Sequence, residues 1–246
     1  MMGLRNLYRV FRETREAARQ ETTLAVTGDS SRAAEIAERL GAQRTARGAE
    51  IILAVSGKTL AISGKAVDEP GEIPLPSRDE ELVSRVVWAL EEEYLVSLAK
   101  GYPAFRRAVC EEIIRKNARQ NAVIGALPIP GADMPVMTAN QARMVLNIAA
   151  AHAEELSLDR ARELLGVLAA GFGLRALSRQ VVKLIPLGGW AASAAIGYAG
   201  TVAMGRATTL YFERGGQRLG EDEIAEIRRR AAEEAKVFVS RLRRRS

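Results

Sequence analysis

The sequence has few of the residues from which common catalytic and metal sites are built. Its 246 residues include one cysteine, Cys110, and one histidine, His152. These counts exclude an internal disulfide framework and any metal site that needs several cysteines or histidines, and so little cysteine fits a reducing compartment. Aromatic residues make up only 5% of the chain, whereas hydrophobic residues together make up 48%. A folded core must therefore consist mainly of alanine, leucine, valine and isoleucine.

A phosphate-binding loop for nucleotide hydrolysis is also missing. Gly57-Lys58-Thr59 matches the end of the GxxxxGK[ST] motif, but Ile52 occupies the position of its first glycine. A strand pattern follows Thr59 where the motif requires a helix. No second histidine or suitably spaced nucleophile supports a catalytic triad around His152. We therefore expect a protein that is not an enzyme, does not hydrolyse GTP and has no cofactor and no metal.

Positive charge is concentrated at the two ends of the sequence. The formal net charge is +6 overall, +3 for residues 1–19 and +6 for residues 228–246, which leaves −3 for the rest. Both ends have the pattern of a basic amphipathic helix, which suits an anionic membrane surface. They lack interleaved aromatic residues and a recognition helix, so no nucleic-acid partner is expected. A solvated helix surface is the alternative interpretation. The candidate lipid-contacting residues are Arg228, Arg229, Arg230, Arg241, Arg243, Arg244 and Arg245.

The first 76 residues predict a basic amphipathic helix over 1–20 and a small α/β domain over 21–76. Apolar spacing across residues 33–40 predicts a helix that Gly41 ends. The segment 67–76 is predicted as a linker or a short edge segment. Short runs of β-forming residues, the last two joined by a glycine-containing hairpin turn, predict strands at 23–26, 51–55 and 59–62.

The rest of the chain predicts helices. Ser77 with Glu80 forms a capping-box pattern, from which a single helix over 82–100 is expected. Five later helices are predicted. The first ends near residue 127, the second spans 136–156 and the third follows Ser157. The fourth ends near residue 212, and the fifth spans 224–242. The expected domains are a hydrophobic helical domain over 77–213 and a basic amphipathic C-terminal helix over 214–246. The predicted fold class is α+β and mostly α.

The segment 184–204 has no charged residue. It is long enough for a helix to cross a bilayer. It contains Pro186 and much alanine, so its hydropathy is marginal for a span. Small residues recur at every fourth position and make a smooth face for close helix packing. A transmembrane helix and a buried helix of a soluble bundle are both open at this point. The predicted helix-packing face consists of Gly189, Ser193, Gly197, Thr201 and Gly205.

A second candidate site is a polar cluster after the prolines at 128 and 130. Asp133 is placed to cap the following helix, and a catalytic carboxylate is the minority alternative. Asn140, Gln141 and Arg143 lie within about three turns of it and are expected to join it in a polar cluster inside the helical domain.

Residues 100–213 resemble the YcjF-like domain of unknown function. The resemblance rests on the Asn-Ala-Val-Ile-Gly-Ala-Leu-Pro-Ile-Pro-Gly-Ala-Asp segment and on the alanine- and glycine-rich helix that follows Pro186. Its matching residues are Pro128, Pro130, Asp133, Gln141, Met144, Pro186, Gly188, Thr201, Gly205, Arg206, Ala207 and Phe212. The resemblance implies a hydrophobic helical domain that is membrane-associated and works beside an Era-like GTPase.

Together these features predict a non-enzymatic, membrane-associated scaffold or regulatory protein on the cytoplasmic side. Its expected partner is a GTPase or a second copy of itself, with an anionic membrane surface as a further contact. The alternative is a cytoplasmic, soluble helical protein-interaction module or homodimer without membrane contact.

Overall fold

The computed structural model describes residues 12–16, 19–126, 133–154 and 190–245. Within these ranges the chain has one four-stranded sheet followed by helices, which confirms the predicted α+β, mostly helical class. Residues 12–16 are helical. The rest of the helix predicted over 1–20 lies almost wholly outside the described residues, as does the helix predicted after Ser157.

The sheet is formed by β1 (Leu24–Thr27), β2 (Ile51–Ser56), β3 (Thr59–Ser63) and β4 (Gly71–Pro74), in that order across the sheet. Strands β1 and β2 are parallel, and the other neighbours are antiparallel. Helix α1 (Ser31–Leu40) connects the parallel pair. The predicted hairpin is confirmed as β2–β3, and the predicted edge segment is confirmed as β4. Strand β2 alternates buried and half-buried residues, as a strand with one packed side does.

Helix α1 ends at Gly41 as the sequence predicts, and it begins two residues before the predicted apolar spacing. The Ser30 Oγ accepts a hydrogen bond from the Ala33 backbone amide at 3.2 Å, which caps the first turn. Gly41 has φ +67°, and its amide donates to the carbonyl groups of Ala37 and Glu38. Glycine adopts this left-handed conformation without steric cost, so the helix ends there.

The single helix predicted over 82–100 is wrong. The chain instead forms α2 (Asp79–Ala89) and α3 (Glu92–Gly101). At the break, the Asp68 amide donates to the Ala89 carbonyl at 2.9 Å and the Glu91 amide donates to the Ala66 carbonyl at 3.0 Å. The backbone therefore pairs with residues 66–68 instead of continuing the helix.

The expected capping box at Ser77 is also wrong. Arg78 occupies the N-cap of α2 without a side-chain capping bond, and three acidic residues fill the first turn. Their charges stabilise the positive end of the helix dipole without a serine cap.

A short turn and four longer helices follow among the described residues. They are a 3₁₀ turn (Pro103–Phe105) leading into α4 (Arg106–Ala126), then α5 (Asp133–Ala151), α6 (Trp190–Glu213) and α7 (Glu221–Arg245). Helix α5 ends five residues before the predicted Leu156, because Ala153 turns out of the helix at φ +60°.

The chain divides into two compact units. One holds the sheet, α1–α3 and α4 as far as Glu112, together with residues 150–154. The other, here called the helical unit, contains residues 113–149 and 190–245 among those described, with residues 12–14. The composition changes at residue 76, whereas this division falls inside α4. The predicted domain bounds stay a prediction.

Candidate functional site

A groove of about 600 Å³ lies in the helical unit between α4 and the C-terminal turns of α7. The described residues that line it are Arg119, Phe238, Arg241, Leu242 and Arg244. Among the described residues, three guanidinium groups from two helices therefore line the groove together with one aromatic and one aliphatic side chain. Such a combination suits an anionic group attached to an apolar body.

The spacing along α7 produces its share of the groove. Phe238, Arg241 and Leu242 are three and four residues apart, so they lie on one face of the helix. Ala235 and Val239 are buried and fix α7 against the rest of the unit. Arg119 is supplied by α4, where the neighbouring Ala118 is buried and Arg119 itself is exposed.

Phe238 is held in place by a contact with α6. The Tyr198 ring stacks on the Phe238 ring with centroids 4.4 Å apart and an angle of 17° between the planes. The Tyr198 hydroxyl donates to Glu234 Oε1 at 2.9 Å, and Arg206 Nη1 lies 2.9 Å from Glu234 Oε2. Burial and the negative charge of Glu234 both raise the pKa of Tyr198 above its ordinary value, so the phenol stays protonated and keeps donating. Both oxygens of Glu234 are thus engaged beside the groove.

The arginines of α7 fall into two groups by their partners. Arg229 forms ion pairs with Glu226 and Glu233, at 2.8 and 2.9 Å, and Arg230 pairs with Glu226 at 2.6 Å. Hydrogen bonds from Arg229 and then Arg230 lower the pKa of Glu226 to about 2, so these charges compensate one another at neutral pH. In the part of the chain that the structure describes, no carboxylate forms an ion pair with Arg119, Arg241 or Arg244.

The predicted lipid-contacting arginines therefore have different environments. Arg228 is half-buried, whereas Arg229 and Arg230 are exposed and paired within their own helix. Arg241 and Arg244 line the groove. The side chains of Arg243 and Arg245 lie outside the described residues.

A second feature of the helical unit is a buried polar network across three helices. Asn121 of α4 is fully buried, and its Nδ2 donates to Thr201 Oγ1 of α6 at 2.8 Å. Thr201 Oγ1 donates in turn to the Gly197 carbonyl at 2.8 Å. Asn140 Nδ2 of α5 donates to Asn121 Oδ1 at 3.2 Å. The amide of Asn121 is satisfied on both sides, which is what a buried polar group requires.

The predicted polar cluster is only partly brought together. Asn140 joins the network, whereas Arg143 is exposed and pairs with Glu13 at 2.7 Å. Gln141 is half-buried. Asp133 is the first residue of α5, but its side chain lies outside the described residues, so its proposed capping role stays a prediction.

Sequence reasoning missed Asn121, the residue that joins the three helices. The available signal is an asparagine in a stretch of α4 where Ala118 and Ala122 are buried. Its fellow Asn117, one turn earlier, instead donates to the Ile113 carbonyl of its own helix at 2.8 Å. The pattern alone does not separate the two asparagines.

The predicted helix-packing face brings α6 close to α4. Gly197, Thr201 and Gly205 are buried, Ser193 is exposed, and Gly189 lies outside the described residues. A Cβ added to Gly197 would come 2.7 Å from the Asn121 carbonyl oxygen. A Cβ added to Gly125 of α4 would come 2.9 Å from the Ser193 carbonyl oxygen. Glycine at these positions permits backbone contact that larger residues would prevent.

Cys110 and His152 belong neither to the groove nor to the buried polar network among the described residues. Cys110 is buried in α4. His152 follows the last residue of α5, and burial and then the charge of Arg106 lower its pKa to about 4. Within residues 12–16, 19–126, 133–154 and 190–245, no three acidic, histidine or cysteine side chains are grouped as a metal site. None of the helices described is long and apolar enough to cross a membrane.

Comparison with known proteins assigns the helical part of the chain to a family. No curated protein and no solved structure matches the chain. The family model described as a domain of unknown function (DUF697) matches residues 92–237, which is more than half of the sequence. This range includes α3 to α6 and most of α7, and with them Asn121, Thr201 and Arg119, whereas the groove residues of α7 lie beyond it. The chain therefore belongs to the DUF697 family.

Proposed function

We propose that the protein is a non-enzymatic, membrane-associated scaffold or regulatory protein that acts on the cytoplasmic side together with a GTPase. The observation that supports membrane association is the charge at the end of α7. Residues 235–246 contain one lysine and four arginines and no acidic residue. Val237 and Leu242 are exposed among them. A cationic helix end with exposed apolar side chains binds anionic membrane surfaces, at about 1 kcal/mol for each lysine or arginine near the surface.

The membrane part of the proposal is tested by fractionation of cells that express the full chain. Arg241, Arg243, Arg244 and Arg245 are together replaced with glutamine, which leaves the buried Ala235 and Val239 of α7 in place. Because the change removes four positive charges at the helix end, we expect the wild type in the membrane fraction and the variant largely in the soluble fraction.

The control for this experiment removes the same charge elsewhere. Arg47, Lys58, Lys65 and Arg107 are exposed cations of the unit that holds the sheet. Their joint replacement with glutamine should leave the protein in the membrane fraction. Recovery of the wild-type protein entirely in the soluble fraction at low salt contradicts the proposal.

The GTPase partner is supported by the resemblance of residues 100–213 to the YcjF-like domain. Affinity purification of the full chain from solubilised membranes, with mass spectrometry of the bound proteins, tests it. We expect a GTPase among the proteins enriched over a control purification. If purifications with added GDP and with added GTP analogue both lack any enriched GTPase, this part of the proposal is contradicted.

A soluble helical interaction module is the second candidate, and one observation favours it. Gly197, Thr201 and Gly205 are buried against other helices of their own unit. A helix packed in this way serves a soluble bundle as well as a membrane protein. A single sharp oligomeric species in detergent-free buffer, with no binding to anionic vesicles, supports this candidate over the first.

A further inference from the structure

We infer that the groove between α4 and α7 is a binding site for the phosphate monoester headgroup of an anionic membrane lipid. The inference starts from Arg119, which reaches the groove from α4, more than one hundred residues before Arg241 and Arg244. In the described part of the chain these three side chains form no ion pair with a carboxylate. Guanidinium groups that line one space and have no carboxylate partner among the described residues repel one another, and a bound anion relieves that repulsion.

The shape and chemistry of guanidinium groups favour phosphate. Each group offers a planar fork of N–H donors that matches two oxygens of a phosphate, whereas a lysine acts as a point charge. A phosphate monoester carries a charge of about −1.5 to −2 at neutral pH and three acceptor oxygens. Three arginines can each find an acceptor on such a group, whereas a phosphodiester has one charge and two free oxygens.

The apolar part of the groove indicates an amphiphile over a free anion. Phe238 and Leu242 lie in the same lining as the arginines. The Phe238 ring stacks on Tyr198. A volume of about 600 Å³ exceeds the need of a lone phosphate and is in the usual range for a small-molecule site. The apolar surface is thus available to the first part of an acyl chain.

The assignment of this phosphate group to a membrane lipid rests on the proposed membrane association. A diffuse electrostatic attraction makes a different prediction, since it depends on surface charge and not on headgroup structure. The discriminating residue is Arg119, which lies outside the basic C-terminal segment and contributes to the groove from another helix.

The test measures the binding of the full chain to monomeric dodecyl phosphate, used below its micelle concentration, by calorimetry. Vesicles of neutral lipid with phosphatidic acid or with phosphatidylserine, matched in surface charge, form a second arm. The wild type should bind dodecyl phosphate and should prefer phosphatidic acid vesicles to phosphatidylserine vesicles. Arg119→Gln should weaken dodecyl phosphate binding at least about tenfold and abolish the headgroup preference, because a charge-assisted hydrogen-bond partner is lost.

Arg107→Gln is the matched control. Arg107 is an exposed arginine of the same helix, twelve residues before Arg119 and so about 18 Å away along the helix axis. This variant loses the same charge and should bind like the wild type. Since both positions are exposed, both variants should keep the helical circular dichroism spectrum and the melting temperature of the wild type.

The outcomes separate the two proposals. Vesicle binding that is equal for both lipids and unchanged in Arg119→Gln, without dodecyl phosphate binding, overturns the groove site and leaves membrane association standing. Binding of dodecyl phosphate without binding to any vesicle supports the site and overturns membrane association and the lipid source. Inorganic phosphate binding as tightly as dodecyl phosphate overturns the assignment to an amphiphile.

Discussion

At the scale of single residues, the environment decides which charged and polar groups are available. Arg229 and Arg230 are engaged by Glu226 on their own helix, whereas Arg241 and Arg244 face a groove. Glu234 is engaged by Tyr198 and Arg206, and it forms no ion pair with the groove arginines in the described part of the chain. Charges of one type in one helix therefore have different roles, according to what lies three or four residues away and what the next helix presents.

His152 carries a prediction at this scale. Its lowered folded pKa of about 4, against 6.5 for an exposed histidine, means that the unfolded chain binds the proton more readily. The contribution of His152 to the free energy of unfolding should therefore be greatest near pH 7 and above. It should fall as the pH drops through 6.5 toward 4. We expect a loss on the order of 1 kcal/mol between pH 7.0 and 5.5, measured by urea unfolding.

His152→Gln should be less sensitive to pH over the same interval. Because His152 is the only histidine in the chain and carboxyl groups titrate at lower pH, the difference between the two proteins is attributable to this side chain. An equal loss of stability in the variant refutes the prediction.

At the scale of secondary-structure elements, helix ends and helix contacts follow different rules. Helix α1 was predictable because its apolar spacing and its terminal Gly41 are local signals. The break between α2 and α3 was not, because the groups that pair with residues 89–91 come from residues 66–68. The close approach of α4 and α6 was partly predictable. The periodicity of small residues predicted a contact face on α6 but did not indicate which helix it contacts.

Gly197→Ala tests that contact. The added Cβ would lie 2.7 Å from the Asn121 carbonyl oxygen and 3.1 Å from Met137 Cε, so the helices must move apart. Overpacking costs about 1–3 kcal/mol, against which the better helix propensity of alanine returns at most about 1 kcal/mol. We expect a lower midpoint in urea unfolding of the helical unit, followed by circular dichroism.

Ser193→Ala is the control for this substitution. Ser193 lies on the same helix and in the same four-residue series, but it is exposed. Its replacement should leave the unfolding midpoint within a few tenths of a kcal/mol of the wild type. A Gly197→Ala protein as stable as Ser193→Ala would show that the helices do not pack as closely as the structure has them.

At the scale of the whole molecule, the net charge of +6 describes no single surface. The ends of the chain are strongly positive and the long middle part is slightly negative. The proposed attachment to a membrane uses only the C-terminal positive end, so the sign of the charge at that end matters more than the total.

This distribution predicts a strong salt dependence of vesicle binding. Flotation with phosphatidylserine-containing vesicles should show a bound fraction that falls as sodium chloride rises from 0.05 to 0.5 M, because the screening length shrinks to several ångströms. The variant with glutamine at positions 241, 243, 244 and 245 should bind weakly throughout. Wild-type binding that does not respond to salt is incompatible with an attachment dominated by charge.

The sequence alone determined the fold class, the hairpin, the C-terminal end of α1, the segregation of charge and the presence of a small-residue face. These follow from patterns within a few residues, where side-chain type fixes local conformation. Tertiary structure decided the break at residue 90, the role of Asn121 and the meeting of Arg119 with Arg241 and Arg244. Each of these depends on groups far apart in the chain, and only the packing of one helix against another determines which of them come within bonding distance.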